Sequence, residues 1–574
     1  MIQIKRRHAP ELMPDLPDDL HPVLQRVYAL RHVVDATELE HSLSNLHSYK
    51  DLRDIDTATA LLSEALTQRW SILVIGDFDT DGATSSAVAV QLLREFGAAK
   101  VDFLVPNRFE YGYGLTPEIV EVALQHQPDL IVTVDNGISS LDGVAAAKAN
   151  NIKVLITDHH LPAEQLPAAD AIINPNQPDD QFPSKNLAGV GVIFYVMMAL
   201  RAALREQGWF EKQNIKEPNL ANYLDLVALG TVADVVPLDH NNRILVAQGL
   251  ARIRAGQSCA GIQALLEISG RKAQNISSTD LGFCVAPRLN AAGRLDDMSI
   301  GISCLLSESL SGAEVLARQL DQLNYERRSI EQGMQKEAFA CLEAMDLSEQ
   351  ELPVALCLYQ QDWHEGVIGI LASRVKDKWH RPVIAFANAG TGLIKGSARS
   401  IPGLHIRDAL DAVAAHHPGL ISKFGGHAMA AGLTLEEGDF EEFNQAFCTE
   451  VSRHLSLDDL QGQVLSDGAL SLGDLNLELA ERLRNGGPWG QGFPEPIFDG
   501  IFELVTKRIV GEKHLKMVVR SPGAEQVMDA IAFNTVDTDW PEQVVQVELA
   551  YRLDVNEFRG ARNAQLIVEH ITPI

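Results

Sequence analysis

Aspartates and histidines recur in this chain where apolar runs stop. Asp158-His159-His160 follows residues 152–157, Gly76-Asp77-Phe78-Asp79-Thr80-Asp81-Gly82 follows residues 72–75, and Asp135-Asn136-Gly137 follows residues 130–134. Asp234 closes a fourth string, Gly230-Thr231-Val232-Ala233-Asp234. Hard divalent cations take carboxylate oxygens and imidazole shifts the preference towards transition metals, so such a set suits Mn²⁺ best, with Mg²⁺ as the alternative. A single ion does not need Asp77, Asp79, Asp81, Asp135, His159 and Asp234 together. Two ions about 3.5 to 4 Å apart would use them all and could activate water for attack at phosphorus. Asp135, alone at its strand end, is the candidate bridging carboxylate. Asp-x-Asp-Gly after a strand is often only a turn with a helix N-cap, and the adjacent pair His416-His417 reads as solvated. Four acidic motifs would need that blander explanation four times.

The elements that must carry these residues follow from the surrounding pattern. Between about 71 and 175, short β-branched runs alternate with helical stretches: a strand to Ile75, a helix through Ala87 to Phe96 closed by Gly97, a strand from Val101 to Val105, then the strands before Asp135 and Asp158. This alternation predicts βαβ units and a parallel sheet. Ligands of such sheets bind beyond the carboxyl ends of the strands, where Asp77, Asp79, Asp135, Asp158 and His159 would all sit. Residues 222–229 read as a helix that delivers Asp234 from its end.

Composition bounds the rest. At 574 residues the chain predicts several domains, and 48 Lys+Arg against 77 Asp+Glu give a net charge of -29, so a polyanion must be met by local basic surface or by metal ions. Cys259, Cys284, Cys304, Cys341, Cys357 and Cys448 form no CxxC pair, which fits a reducing compartment and argues against thiolate zinc. The basic N-terminus leads into Pro10, Glu11 and Asp15 rather than an apolar core, and the longest apolar run, 188–200, is too short for a bilayer span. A soluble cytoplasmic protein is expected.

The predicted organisation is α/β and multidomain: an N-terminal segment over 1–50, a catalytic domain over 51–240, a helical region with a long connector helix over 241–350, a second α/β domain over 351–458 and a small barrel over 459–574. Ser311 and Glu314 suggest a capping box opening the connector, which runs to Met345 and would span on the order of 50 Å. Arg327 interrupts its apolar face, so that part is expected to be solvated or to contact a charged group. Five short strands after Asp499 suit an OB-fold-like β-barrel, a count other five-stranded barrels share. Lys507, Arg508, Lys513, Lys516, Arg520, Arg552, Arg559 and Arg562 alternate with acids there, so the case for strand binding is topological and a scattered solvated surface fits equally.

Taken in order, Asp79-Thr80-Asp81-Gly82, Asp135-Asn136-Gly137, Asp158-His159-His160 and Asp234 resemble the four motifs of the DHH phosphoesterase superfamily. Gly425-Gly426-His427 with Ala430-Ala431-Gly432 resembles the glycine-rich signature of its DHHA1 domain. The longer strings Pro106-Asn107-Arg108, Gly112-Tyr113-Gly114-Leu115, residues 287–294 and Trp363-His364-Glu365-Gly366-Val367-Ile368-Gly369 are similar to the bacterial single-strand-specific exonucleases of that superfamily. The resemblance runs from about Leu52 to the C-terminus. It implies a 5′→3′ exonuclease that degrades single-stranded DNA to mononucleotides in a cleft between DHH and DHHA1 lobes, in DNA repair and recombination. The implied partners are single-stranded-DNA-binding protein and a RecQ-type helicase.

Site roles also follow from the resemblance. Metal binding falls on Asp77, Asp79, Asp81, Asp135, His159 and Asp234. Many superfamily members place a histidine four residues before the first Asp of Asp-x-Asp; here that position is Ile75, which leaves open whether Asp77 or Asp158 is a direct ligand and which an orienter. His160 would contact the scissile phosphate or assist proton transfer, its alternative being a structural hydrogen bond to a carboxylate. Arg108, Ser397 and Arg399 match positions that bind a 5′-terminal phosphate. Tyr113 would stack on a base or fill a core; Arg288, Asn290 and Arg294 would line the cleft. His427 and its glycines would admit a phosphate to the backbone or merely make a tight turn. Competing readings are a phosphodiesterase for oligonucleotides or cyclic dinucleotides, disfavoured by the long chain and barrel, and a non-catalytic single-strand-binding replication scaffold, disfavoured by the complete acidic set.

Overall fold

The structure, a computed structural model, describes all residues except 1, 11–13, 108–110, 112–113, 344–351, 512, 536–543 and 559. Arg108, Tyr113 and Arg559 therefore lie outside the described residues. The chain forms two compact units, one of residues 7–324 with 467–574 and one of residues 1–6 with 325–466.

The first unit contains the parallel sheet expected from the alternating pattern: β1 (Ser71–Ile75), β2 (Lys100–Leu104), β3 (Leu130–Val134), β4 (Lys153–Thr157) and β5 (Ala171–Ile173), in the order β2-β1-β3-β4-β5. Every neighbouring pair is parallel. All five residues of β3 are buried, as a central strand covered on both faces requires. Alternate residues serve opposite cores. Ile72, Val74, Val132 and Leu155 pack on the side of α1 (Thr80–Glu95), α2 (Gly189–Glu206) and α3 (Leu224–Ala233), while Leu73, Ile75, Ile131 and Ile156 pack with Ile119, Val120 and Val144 on the other. The order of strands reverses direction between β1 and β3, where such sheets open a binding crevice.

The long apolar run is α2, which is buried nearly all round because it packs inside the unit. Among the described residues no helix is long and apolar enough to cross a membrane. Beyond α3, short helices lead to α4 (Ala286–Leu295) and to α5 (Leu310–Glu343), whose 34 residues correspond to about 50 Å. The expected capping box at Ser311 does not form. Ser309 Oγ accepts from the Gly312 amide, and Glu314 instead pairs with Arg318 one turn on. The first part of α5 buries Ala313, Ala317 and Leu320 in the core of the first unit.

From Tyr325 onward α5 belongs to the second unit. There Arg327 meets charge, as its place on the apolar face suggested: Nη1 pairs with Glu331 at 2.6 Å, and Arg374 holds the other oxygen of the same carboxylate at 2.9 Å. This unit's sheet comprises β6 (Leu356–Tyr359), β7 (Val383–Asn388), β8 (Leu393–Arg399), β9 (Lys423–Gly426) and β10 (Ala430–Glu436), ordered β9-β10-β8-β7-β6. Only β6 and β7 pair in parallel. Arg374 lies on α6 (Ile368–Trp379). The N-terminal strand Gln3–Arg6 also belongs here, parallel to Gln463–Ser466.

The chain then returns to the first unit as a closed five-stranded barrel of β11 (Phe498–Val510), β12 (His514–Arg520), β13 (Val527–Ala532), β14 (Gln546–Phe558) and β15 (Ala561–Pro573). Leu515, Met517, Val519, Met528, Ala530 and Ala532 alternate inward, the period of two that fills a small barrel. The helix Pro22–Ala29 and the turn after it dock on the segment that leads into the barrel. Tyr28 stacks on Trp489 and Phe493, and the buried Arg31 makes two 3.0 Å bonds to Asp467. A single buried cluster thus runs from the parallel sheet to the barrel.

Candidate metal centre

Three of the acidic motifs leave their strands at the same edge of the sheet and the fourth, at Asp234, leaves a helix; the turns at Asp79 and Asp135 show how the carboxylates are held there. Asp79 caps α1, its Oδ1 accepting from the Gly82 amide at 3.1 Å, so the ordinary N-cap and the candidate ligand are one residue. Asp135 has φ 62°, the left-handed region that non-glycine residues avoid unless their surroundings enforce it. The enforcement is visible: Asn136 is buried and its amide donates to the carbonyls of Ile75 and Val134, tying the end of β3 to the end of β1. Asp234 stands at the C-terminus of α3, followed by Val235 at φ 60°, an unusual conformation for a β-branched residue.

The side chains converge. Ligand atoms of Asp77, Asp79 and Asp135 lie within 4.8 Å of one another, as do those of Asp81, His159 and Asp234, and those of Asp135, His159 and His160. His159 Nε2 is 3.1 Å from Asp135 Oδ1 and 3.4 Å from Asp234 Oδ2. Burial raises the Asp135 carboxyl well above its ordinary range, and the charges of Asp81, Asp79, Asp234 and Asp77 push it the same way. Asp234 is raised by burial and then by Asp81 and Asp79. Asp81 is pushed up to about 7 by burial and by Asp79, against the pull of two backbone amides. Carboxylates that drive protons back onto each other gain most from multivalent cations, so this donor set fits divalent metal ions.

Two of the aspartates carry additional duties. Asp81 is fully buried and accepts from the amides of Gly189 and Val190 at 2.6 and 3.0 Å, anchoring the start of α2. Asp158 spends its carboxylate on its own turn: Oδ1 accepts from the amides of His159 and His160 and from His160 Nδ1 at 2.7 Å, while Oδ2 accepts from the Ile138 amide. Burial pulls Asp158 upward, but those bonds, His160 foremost, hold it below its ordinary range. For His160 burial works against the cation, yet the Asp158 bond outweighs it and raises the imidazole to about 9.

Supporting residues that sequence reasoning missed surround this centre. Asn174 and Asn176, just beyond β5, donate to the carbonyls of His160 and His159 at 2.9 and 2.7 Å. Their signal was the one that found the aspartates, a polar residue at a strand's carboxyl end. Glycines are the other group. A β-carbon at Gly189 would sit 2.6 Å from Asp135 Cβ, one at Gly230 would sit 2.8 Å from Asp81 Oδ1, and one at Gly293 would sit 1.7 Å from the Phe78 carbonyl. Gly189 and Gly230 lie inside apolar helical stretches, where nothing in the local pattern marks them.

Several expected substrate residues turn out to be engaged locally. Asn290 Oδ1 accepts from the amide and hydroxyl of Thr80 at 2.8 and 2.7 Å, bracing the start of α1. Arg288 pairs with Asp321 at 2.8 Å and donates to the Cys284 carbonyl. Arg294 ends α4. In the second unit, Ser397 and Arg399 lie together on β8, Arg399 Nη1 donating to Ser397 Oγ at 3.2 Å. Burial lowers the Arg399 pKa, and the same Nη1 also donates to the Ala398 carbonyl at 2.8 Å. Gly369, in the first turn of α6, approaches so closely that a β-carbon would sit 2.8 Å from Arg399 Nη2 and 2.9 Å from Ser397 Oγ, and no side chain caps that helix. His427 falls in the hairpin turn between β9 and β10, its amide donating to the Ala430 carbonyl at 2.8 Å; Gly426 there has φ 146° with Ala431 against it.

Comparison with known proteins places this arrangement. Family models match the chain as DHH family N-terminal domain over 71–231, DHHA1 domain over 352–453 and RecJ OB domain over 466–570. The chain is 56% identical over 573 residues to the single-stranded-DNA-specific exonuclease RecJ of Salmonella typhimurium, covering 100% of this chain and 99% of that one. The chain belongs to the RecJ family. The RecJ of Escherichia coli is 55% identical over 574 residues, 100% of this chain and 99% of that one. The crystal structure of RecJ from Thermus thermophilus in complex with Mn²⁺ matches with a TM-score of 0.78 at 30% identity, over 96% of this chain and 76% of that one. RecJ of that organism has also been solved in complex with Mg²⁺. The α/β architecture and closed barrel inferred from sequence are those of the RecJ fold, and the ions in those relatives agree with the Mn²⁺ or Mg²⁺ expected from the donor set.

Proposed function

We propose that this RecJ-family chain hydrolyses single-stranded DNA from its 5′ end, one mononucleotide at a time, at a centre of two divalent ions. As a member of that family it is a metal-dependent, single-stranded-DNA-specific exonuclease. The observation that carries the two-ion reading is the overlap of the acidic groups: Asp77, Asp79 and Asp135 form one close set, Asp81, His159 and Asp234 another, and His159 Nε2 at 3.1 Å from Asp135 links the two. In this reading Asp77, Asp79 and Asp135 hold one ion, and Asp135, Asp81, His159 and Asp234 the other. Divalent ions bound there supply Lewis acidity towards the phosphodiester and a more acidic attacking water.

The chain's own residues do the rest. Asp158 orients both histidines through three of its four hydrogen bonds, the fourth being to the Ile138 amide. That leaves Asp77, not Asp158, as the ligand standing in for the superfamily histidine. His160, with Nδ1 committed to Asp158, offers Nε2 to a phosphate oxygen or to the leaving group as a proton donor.

Polarity rests on Ser397 and Arg399. A buried guanidinium beside a hydroxyl, at a helix start opened by Gly369, has the chemistry of a terminal-phosphate pocket. The barrel would guide the strand, and single-stranded-DNA-binding protein and a RecQ-type helicase are the proposed cytoplasmic partners in repair and recombination. Digestion of one oligonucleotide labelled at either end tests the reading, as single strand and as duplex, with Mn²⁺, Mg²⁺ or chelator. Release of labelled mononucleotide first from the 5′ label, on single strands only and only with metal, is expected. Release from the 3′ end, or equal cutting of duplex, would overturn it.

A further inference from the structure

Phe283 is 74% exposed, the largest exposure recorded for any large apolar side chain among the described residues. It lies in a five-residue π-helical turn, Leu281–Val285, that leads into α4. Its neighbours Leu281 and Val285 are buried, so the turn itself is firmly held and Phe283 alone is turned outward. π-Helical insertions cost hydrogen-bond geometry and occur mostly where they present a side chain for use.

The position of this turn gives the exposure a meaning. A β-carbon on Gly282 would lie 3.3 Å from Val232 Cγ1, which places the turn against the last turn of α3, the helix that delivers Asp234. Further along the chain, α4 makes its contact with the acidic loop through Asn290 and Thr80. Two more exposed apolar side chains border the same centre by chain adjacency. Val235 follows Asp234 and is 63% exposed, and Leu161 follows His160 and is also 63% exposed. His159 Nε2 is 3.4 Å from Asp234, so Leu161 and Val235 flank one side-chain cluster.

We propose that Phe283 is the base platform beside the scissile phosphate, with Leu161 and Val235 completing an apolar rim against the bases or sugars on either side of it. The proposal rests on the hydrolytic reading above and deepens it. A cluster of carboxylates receives a phosphate through its ions, but it gives no purchase on a nucleobase. An exposed aromatic face does, without regard to sequence, since every base has a π-face. It also selects single strands, because the base faces of a duplex are already stacked.

The test compares wild type, Phe283→Ala and Phe283→Trp on a 5′-phosphorylated oligonucleotide with intact bases and on one carrying abasic residues at its first three positions. With intact bases Phe283→Ala is expected to lose roughly tenfold in kcat/KM, the scale of one aromatic–base stack, while Phe283→Trp retains activity. On the abasic strand wild type and Phe283→Ala should perform alike, and the Mn²⁺ concentration dependence should be the same in both. Equal losses on intact and abasic strands, or no loss on intact strands, would overturn the platform. Failure of wild type to degrade the intact single strand at all would instead overturn the hydrolytic reading.

Discussion

The carboxyl edge of the parallel sheet and the Ser397–Arg399 corner of the second unit are opposite solutions to one problem, how to keep charge buried without neutralising it internally. At the sheet edge the surplus is negative. Asp77, Asp79, Asp81, Asp135 and Asp234 crowd together with His159 and His160, and the cluster is held by backbone amides, glycine clearances and the left-handed turn at Asp135. At the corner the surplus is positive and single: Arg399 is withdrawn from water beside a hydroxyl. A structural ion pair would have brought a counter-charge from within, as Arg31 has in Asp467. A site that leaves its counter-charge to the ligand must instead be held open by its surroundings, and both regions are.

Breaking the negative side should have the largest effect. Asp135→Ala is expected to lower kcat by about 10³-fold or more, because it removes the residue shared by both proposed ions. Gel-shift binding of single strands and the far-UV circular dichroism should stay as in wild type. Turnover above a tenth of wild type would remove Asp135 from the centre.

Next in size is the scaffold of that side. Gly189→Ala forces a methyl against Asp135, and should shift the half-saturating Mn²⁺ concentration upward by about 10- to 100-fold, the usual cost of disturbing a ligand's support. An unchanged metal titration would mean that the helix start yields without moving the carboxylate.

The positive side should respond in selectivity. Arg399→Ala is expected to reduce the kcat/KM ratio of 5′-phosphorylated to 5′-hydroxyl strands by roughly tenfold, as loss of a charge-assisted contact implies. If the ratio holds while both rates fall, Arg399 supports β8 and contacts no terminal phosphate. The smallest change is expected from the exposed barrel residue Arg508 on β11. Arg508→Ala should raise KM about twofold for long strands and reduce the salt slope by about one. Equal shifts for short and long strands would leave the barrel without a guiding role.

How much of this was legible in the sequence depended on whether the determining contact was local. Three acidic motifs were legible because each opens within two residues of its own strand's end, at Asp77, Asp135 and Asp158, and continuous apolar runs expose the strand; Asp234 was legible as the end of an apolar helix. Asp158 could not be assigned from sequence as ligand or orienter, since the answer lies in where its two oxygens point. Asn290 and Arg288 read as cleft residues because their partners, Thr80 and Asp321, are distant or featureless in sequence. The capping box at Ser311 failed because Ser309, two residues earlier, offered the same chemistry to the Gly312 amide. Residues 7–50 carried almost no signal, because their fit is to Trp489, Phe493 and Asp467.

That last docking sets an order on biosynthesis. Arg31 and Asp467 are 436 residues apart, and Tyr28 reaches the Gly486 carbonyl across 458. At ordinary translation rates of about 5 to 20 residues per second, roughly 20 to 90 s separate the emergence of Arg31 from that of its partner. For the later half of that interval the ribosome holds a chain in which every acidic motif, through Asp234, has been made while the buried guanidinium still lacks Asp467. The nascent chain therefore completes its nuclease unit only when synthesis is nearly over.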